Sequence, residues 1–168
     1  MVDVVLVTGV GPGTGKAIVE RFVSAGYVVA MLARTEQRLI EIQQTLPNTH
    51  AFVCDVAKQV ELTDTLRAVR TSLGVPKIVI HNAVGAERGT YAEIDADKMR
   101  EAFEINTMAL LALAKQLLPD METAGGGALI AMTPIGQAAI LGYAGWKLFK
   151  AGKKVYDNLE TAPVTTQQ

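Results

Sequence analysis

Between positions 9 and 15 every second residue is glycine, in the run Thr8-Gly9-Val10-Gly11-Pro12-Gly13-Thr14-Gly15-Lys16, directly after the apolar segment Val4-Val5-Leu6-Val7. A loop free of side chains lets a pyrophosphate approach the backbone. A helix starting at its end adds free N–H groups and the positive end of its dipole. A merely tight strand-to-helix turn needs one or two glycines, so the excess points to a bound phosphate held by Thr8, Gly9, Gly11, Gly13, Thr14 and Gly15. Spacing separates the nucleotide classes that use such loops. The magnesium-dependent phosphate loop of ATPases and GTPases, G-x-x-x-x-G-K-[ST], has Val10 here in place of its first glycine and Ala17 in place of its hydroxyl, so a nucleotidase is an alternative that fails at two positions. The dinucleotide fingerprint G-x-G-x-x-G fails at Thr14, whereas T-G-x-x-x-G-x-G fits Thr8-Gly9, Gly13 and Gly15.

The loop needs a scaffold, and the chain supplies one by alternation. Short apolar runs at Val4–Val7, Tyr27–Ala33, Ala51–Cys54, Ile78–Ile80 and Ala128–Met132 are separated by segments long enough for helices: Gly15–Ala25, Thr35–Leu46, Gln59–Leu73, Asp97–Met121 and Tyr143–Leu159. Apolar runs lacking a polar alternate face predict strands of a parallel sheet covered by helices on both sides. Thr35 is placed to cap the second helix and Gly26 to end the first. From Ile105 to Leu118 the fourth helical segment is apolar on nearly every face, which predicts burial under the sheet or against a second copy, hence a homo-oligomer. An open sheet edge after the fifth strand points the same way. Thr161–Gln168 reads as a frayed tail.

At 168 residues and 49% apolar content the chain fits one globular domain with its own core. The 16 basic and 17 acidic residues cancel to a net charge of −1, which argues against nucleic acid or an acidic membrane surface as partner and for local recognition of a small molecule. The single cysteine, Cys54, lies in an apolar run and reads as a core residue. One cysteine allows neither a disulfide framework nor a thiolate metal cage. The N-terminus lacks a basic segment ahead of its apolar run, and nothing approaches membrane-spanning length, so a cytoplasmic protein is expected. Lysines 147, 150, 153 and 154 alternate with apolar residues over 146–159; a core-facing stripe with a solvated lysine face is the reading, and a membrane or partner surface the alternative.

Thr8-Gly9, Gly13 and Gly15 together resemble the short-chain dehydrogenase/reductase family, and further matches follow in the family's order. Asp55-Val56 closes the third strand, where the family holds adenine. Asn82-Ala83 is similar to the centre of the N-N-A-G motif, with His81 replacing its first asparagine and Val84 its glycine. Asn106 matches the helix asparagine that supports the catalytic lysine through water. The resemblance spans roughly Val2 to Lys147 and implies a doubly wound Rossmann fold of three layers with five strands in the order 3-2-1-4-5. It implies a single NAD(P)-binding domain, placed over 1–160 ahead of the disordered tail read at 161–168, in a chain lacking the family's C-terminal third.

The implied chemistry is hydride transfer at a nicotinamide between a carbonyl and an alcohol. Tyr143 would act as acid-base, with Lys147 one helical turn away lowering its pKa, since a neighbouring positive charge favours phenolate. Thr133 stands where the family has its catalytic serine, three residues before Gly136, and Asn106 would join the proton relay. For the cofactor, an acid at the end of the second strand would bind the ribose hydroxyl of NAD, and a nearby arginine the extra phosphate of NADP. Here the strand ends Leu32-Ala33-Arg34, so NADP(H) is expected over NAD(H). The Thr133–Tyr143 interval is shorter than the family's, which motivates a second hypothesis: a dinucleotide-binding or interaction module without turnover.

Overall fold

The computed structural model describes residues 2–132. Five strands, β1 (Val4–Thr8), β2 (Val28–Ala33), β3 (Thr49–Val53), β4 (Ile78–His81) and β5 (Ala128–Ala131), form one sheet in the order β3-β2-β1-β4-β5. Every pairing is parallel, and β1 lies at the centre with Val5 against Val29 on one side and Ile78 on the other. The connecting helices are α1 (Thr14–Ser24), α2 (Glu36–Thr45), α3 (Gln59–Leu73), α4 (Ala96–Phe103) and α5 (Ala109–Thr123).

Side chains of a strand alternate between faces, so a strand apolar throughout must feed two cores. That is the arrangement here. Val5, Val7, Val29, Met31, Ile78 and Ile80 pack with Val19 and Phe22 of α1 and Leu39 and Ile42 of α2. The intervening Leu6, Ala30, Leu32 and Val79 join Leu62, Leu66 and Val69 of α3 and Leu113, Leu117 and Met121 of α5. Three layers result. Each fully buried leucine contributes roughly 1.5–3 kcal/mol relative to exposure.

Local signals end the elements. After α1, Gly26 adopts φ +86°, its N–H donates to Val23 O and that of Tyr27 to Phe22 O, closing the helix in a left-handed turn that glycine accepts without strain. Thr35 occupies the residue before α2 as expected, but its hydroxyl makes no capping bond there. Asp95 does cap α4, accepting from the N–H groups of Asp97 and Lys98, which pulls its carboxyl below the usual range.

Two expectations change. The third strand starts at Thr49 rather than Ala51, because a ladder needs only backbone groups. Thr49 and His50 pair with Val29 and Ala30 although neither is apolar. The long helical segment is interrupted by a π turn at Glu104–Met108, where the Ala109 N–H reaches back to Glu104 O. Beyond it α5 is not buried all round, since Leu111 and Lys115 face outward while Leu110, Leu113 and Leu117 face the core. A tie to α3 runs from Arg70 to Gln116 O and the Asp120 carboxylate.

Candidate dinucleotide site

The loop from β1 to α1 turns on Gly9, at φ +68°. A Cβ there would lie 2.4 Å from Ala83 Cα, so the loop touches the backbone leaving β4 directly. Asn82 Nδ2 donates to Gly9 O at 2.9 Å, and Val10 N to Leu32 O at 3.1 Å, pinning the loop to both neighbouring strands. Gly15 meets the same constraint from the helix side, where a Cβ would sit 2.7 Å from Gly9 O. At Gly11 and Gly13 an added Cβ would meet nothing within 4 Å. The four glycines thus divide: Gly9 and Gly15 allow close packing of backbone on backbone, and Gly11 and Gly13 leave the outer side of the loop bare.

That bare side borders a cavity of about 350 Å³ above the carboxyl ends of the central strands, where the chain leaving β1 runs toward β2 and the chain leaving β4 runs the other way toward β5. Gly9–Gly11 and Gly13–Gly15 line it from the loop; Ala33, Arg34, Thr35 and Arg38 from the end of β2 and α2; Cys54, Asp55 and Val56 after β3; Asn82, Ala83 and Val84 after β4; and Ile105 from the π turn. The amides of Thr14 and Gly15 have no acceptor among the described residues, and α1 has neither a side-chain cap nor an acid in its first turn. An anion fits this end of the helix by both hydrogen bonding and dipole. Among the described residues no group of three or more His, Cys, Asp or Glu side chains could hold a metal ion, and no described helix is long and apolar enough to cross a membrane.

Of the residues read from the sequence as cofactor-contacting, all but Thr8 line the cavity. Thr8 is fully buried beneath it. Its hydroxyl donates to His81 Nδ1 at 2.9 Å and accepts the Ala83 N–H at 3.2 Å, while His81 Nε2–H donates to Ile105 O at 2.9 Å. A carbonyl can only accept, so Nε2 carries the proton and Nδ1 is the acceptor: the neutral ring satisfies every partner. His81, which departs from the family's asparagine, therefore braces β1, β4 and the π turn. Asn106 braces the next stretch, its amide donating to Gly85 O at 2.8 Å and accepting from Gly85 N at 3.0 Å. Thr133, Tyr143 and Lys147 lie outside the described residues.

Burial lowers the His81 pKa from its ordinary value, outweighing the bond to Ile105. Between that lowered value and 6.5 the unfolded chain binds a proton that the folded chain refuses. This contribution to stability is therefore complete above about pH 6.5 and is lost progressively as pH falls below it. Urea unfolding at pH 5–7 should show this slope, and His81→Asn should flatten it; an equal slope in the variant would contradict the assignment.

Sequence reasoning overlooked Arg38, whose place in a charged helix resembles an ordinary solvated face, and Ile105, whose arrival depends on the π turn. The Arg34–Arg38 spacing of one helical turn was the available signal for the former. Cys54 also borders the cavity, but burial, reinforced by Glu61 and Asp55, pushes its thiol up to about 11, so it stays protonated and inert at neutral pH.

A parallel doubly wound sheet with a glycine loop and open helix N-terminus at its switch point defines a Rossmann-type dinucleotide-binding domain. The short chain dehydrogenase family model matches residues 3–162, and the chain belongs to that family. It is 31% identical over 132 residues to 7alpha-hydroxysteroid dehydrogenase of Escherichia coli K12, covering 76% of this chain and 51% of that protein. To human short-chain dehydrogenase/reductase 3 it is 29% identical over 136 residues, covering 78% and 45%. The chain thus spans about half the length of the curated relatives it matches. Among solved structures, L-sorbose reductase from Gluconobacter frateurii, complexed with NADPH and L-sorbose, superposes with a TM-score of 0.72 at 31% identity over 77% of this chain and 51% of that one. A short-chain dehydrogenase from Streptomyces avermitilis reaches 0.76 at 26% identity over 95% and 60%.

Proposed function

We propose that the chain is the cofactor-binding part of an NADP(H)-dependent oxidoreductase that interconverts a carbonyl and an alcohol. The observation that carries this reading is the cavity wall at the end of β2, where Ala33 stands in place of an acid and Arg34 and Arg38 supply two cations. An arginine there suits the extra phosphate of NADP. Support also comes from relatives: L-sorbose reductase was solved with NADPH, and an NADPH-dependent 3-dehydrocapnine reductase is 28% identical over 116 residues.

In this proposal the amides of Thr14 and Gly15 hold the diphosphate, Asp55 and Val56 border the adenine, and Asn82 and Ala83 keep the loop in place. The bound nicotinamide supplies or accepts the hydride. Tyr143 moves the hydroxyl proton, Lys147 lowers its pKa and Thr133 orients the carbonyl. Asn106, its side-chain amide committed to Gly85, acts by positioning. Association into a homo-oligomer completes the proposal, supported by exposed Met99, Phe103 and Leu111 on α4 and α5.

Two measurements test it in sequence. Fluorescence titration should show binding of NADPH in preference to NADH, and binding of neither refutes the reading. NADPH oxidation with a panel of carbonyl compounds should then exceed that of Tyr143→Phe; binding without such an excess would establish the module without turnover instead.

A further inference from the structure

Arg34 is tied to a carboxylate that the sequence places 67 residues away: its Nη1 lies 3.8 Å from Glu101 Oε1 on α4, with both side chains more than half exposed. Arg38, beside it on the cavity wall, has no ion pair or hydrogen bond among the described residues. The two cations at this end of the cavity thus differ in what a ligand must displace. A dinucleotide lacking the extra phosphate can leave the Arg34–Glu101 pair intact. One carrying it brings a dianion to the guanidinium that Glu101 occupies, so the phosphate must compete with Glu101 for Arg34.

We propose that Glu101 is a specificity-determining residue, setting how strongly the site prefers a phosphorylated over an unphosphorylated dinucleotide by competing with the phosphate for Arg34. This rests on the cofactor reading above and adds a residue to it that does not line the cavity. The competition is modest, because an exposed pair at this distance is screened. Its release corresponds to about a 2- to 5-fold change in affinity at low salt, and less at high salt.

The test is a set of NADPH and NADH titrations on the full chain and on Glu101→Gln, Arg34→Ala and the double variant, at low and high ionic strength. Both substitutions are at exposed positions, and circular dichroism of each variant verifies the fold. The proposal expects Glu101→Gln to tighten NADPH about 2- to 5-fold with NADH unchanged, the gain to shrink in high salt, and the gain to vanish when Arg34 is already alanine. Equal tightening of both cofactors, weaker NADPH binding, no change, or a gain that persists without Arg34 overturns it. Absence of binding by the unsubstituted chain would refute the cofactor reading itself, which keeps the two failures distinct.

Discussion

Gly9→Ala should lower the unfolding free energy by about 2–5 kcal/mol, the sum of roughly 1–2 for a side chain in the left-handed region and 1–3 for forced overpacking. Both terms come from one place. The residue sits at φ +68°, and the new methyl would fall 2.4 Å from Ala83 Cα and 2.5 Å from Ala83 N, backbone atoms that cannot swing aside. Relief would require β1 and β4 to part at their carboxyl ends, breaking the bonds from Asn82 to Gly9 and from Ala83 to Thr8. Gly11→Ala is the matched control. Nothing lies within 4 Å of its added methyl, so stability should change by less than about 1 kcal/mol and the effect should appear in dinucleotide affinity instead. Chemical denaturation of the two variants reads the difference, and equal loss in both would mean that the close approach at Gly9 does not limit the fold.

The second large effect concerns the cofactor. In Arg34→Ala/Arg38→Ala both cations at the β2 end of the cavity are removed while Ala33 and Thr35 keep the wall in place. A hydrogen bond to a charged group is worth roughly 1.5–3 kcal/mol, so losing the phosphate contacts should weaken NADPH binding by about 10- to 100-fold. NADH, which lacks that phosphate, should lose less than about 3-fold, the share due to general field. Calorimetric or fluorescence titration of both cofactors checks this. Parallel losses would show that the arginines act only through diffuse charge, and NADPH binding untouched would place its phosphate elsewhere.

Much of this architecture is legible in the chain because it rests on local rules. Val4–Val7 and Ile78–Ile80 announce strands buried on both faces, since no alternate position is polar, and the chain then alternates these runs with helical lengths. The Gly9–Gly15 loop is equally plain, because closely spaced glycines are costly unless backbone must approach something. Boundaries blur where the pattern is not apolar. Thr49 and His50 join the sheet through amides that any residue possesses.

Other features depend on which distant segments the sheet order brings together. Thr8 looks like the start of a ligand loop but is consumed by His81, 73 residues on. Ile105-Asn106-Thr107 reads as ordinary helix, and nothing in those residues marks the π turn that turns Ile105 toward the cavity and Asn106 toward Gly85. Glu101 is one of two acids on α4 until the fold brings its carboxylate within 3.8 Å of Arg34, just after β2.

The amino-acid order alone therefore determined the family, the layering and the bare glycine loop between β1 and α1, since hydrophobic periodicity and glycine spacing act over a few residues at a time. Tertiary structure decided which polar groups are spent inside the protein and which face the cavity. Hydrogen bonds and ion pairs are satisfied by whatever neighbour the packing supplies, and that neighbour is not written nearby in the chain.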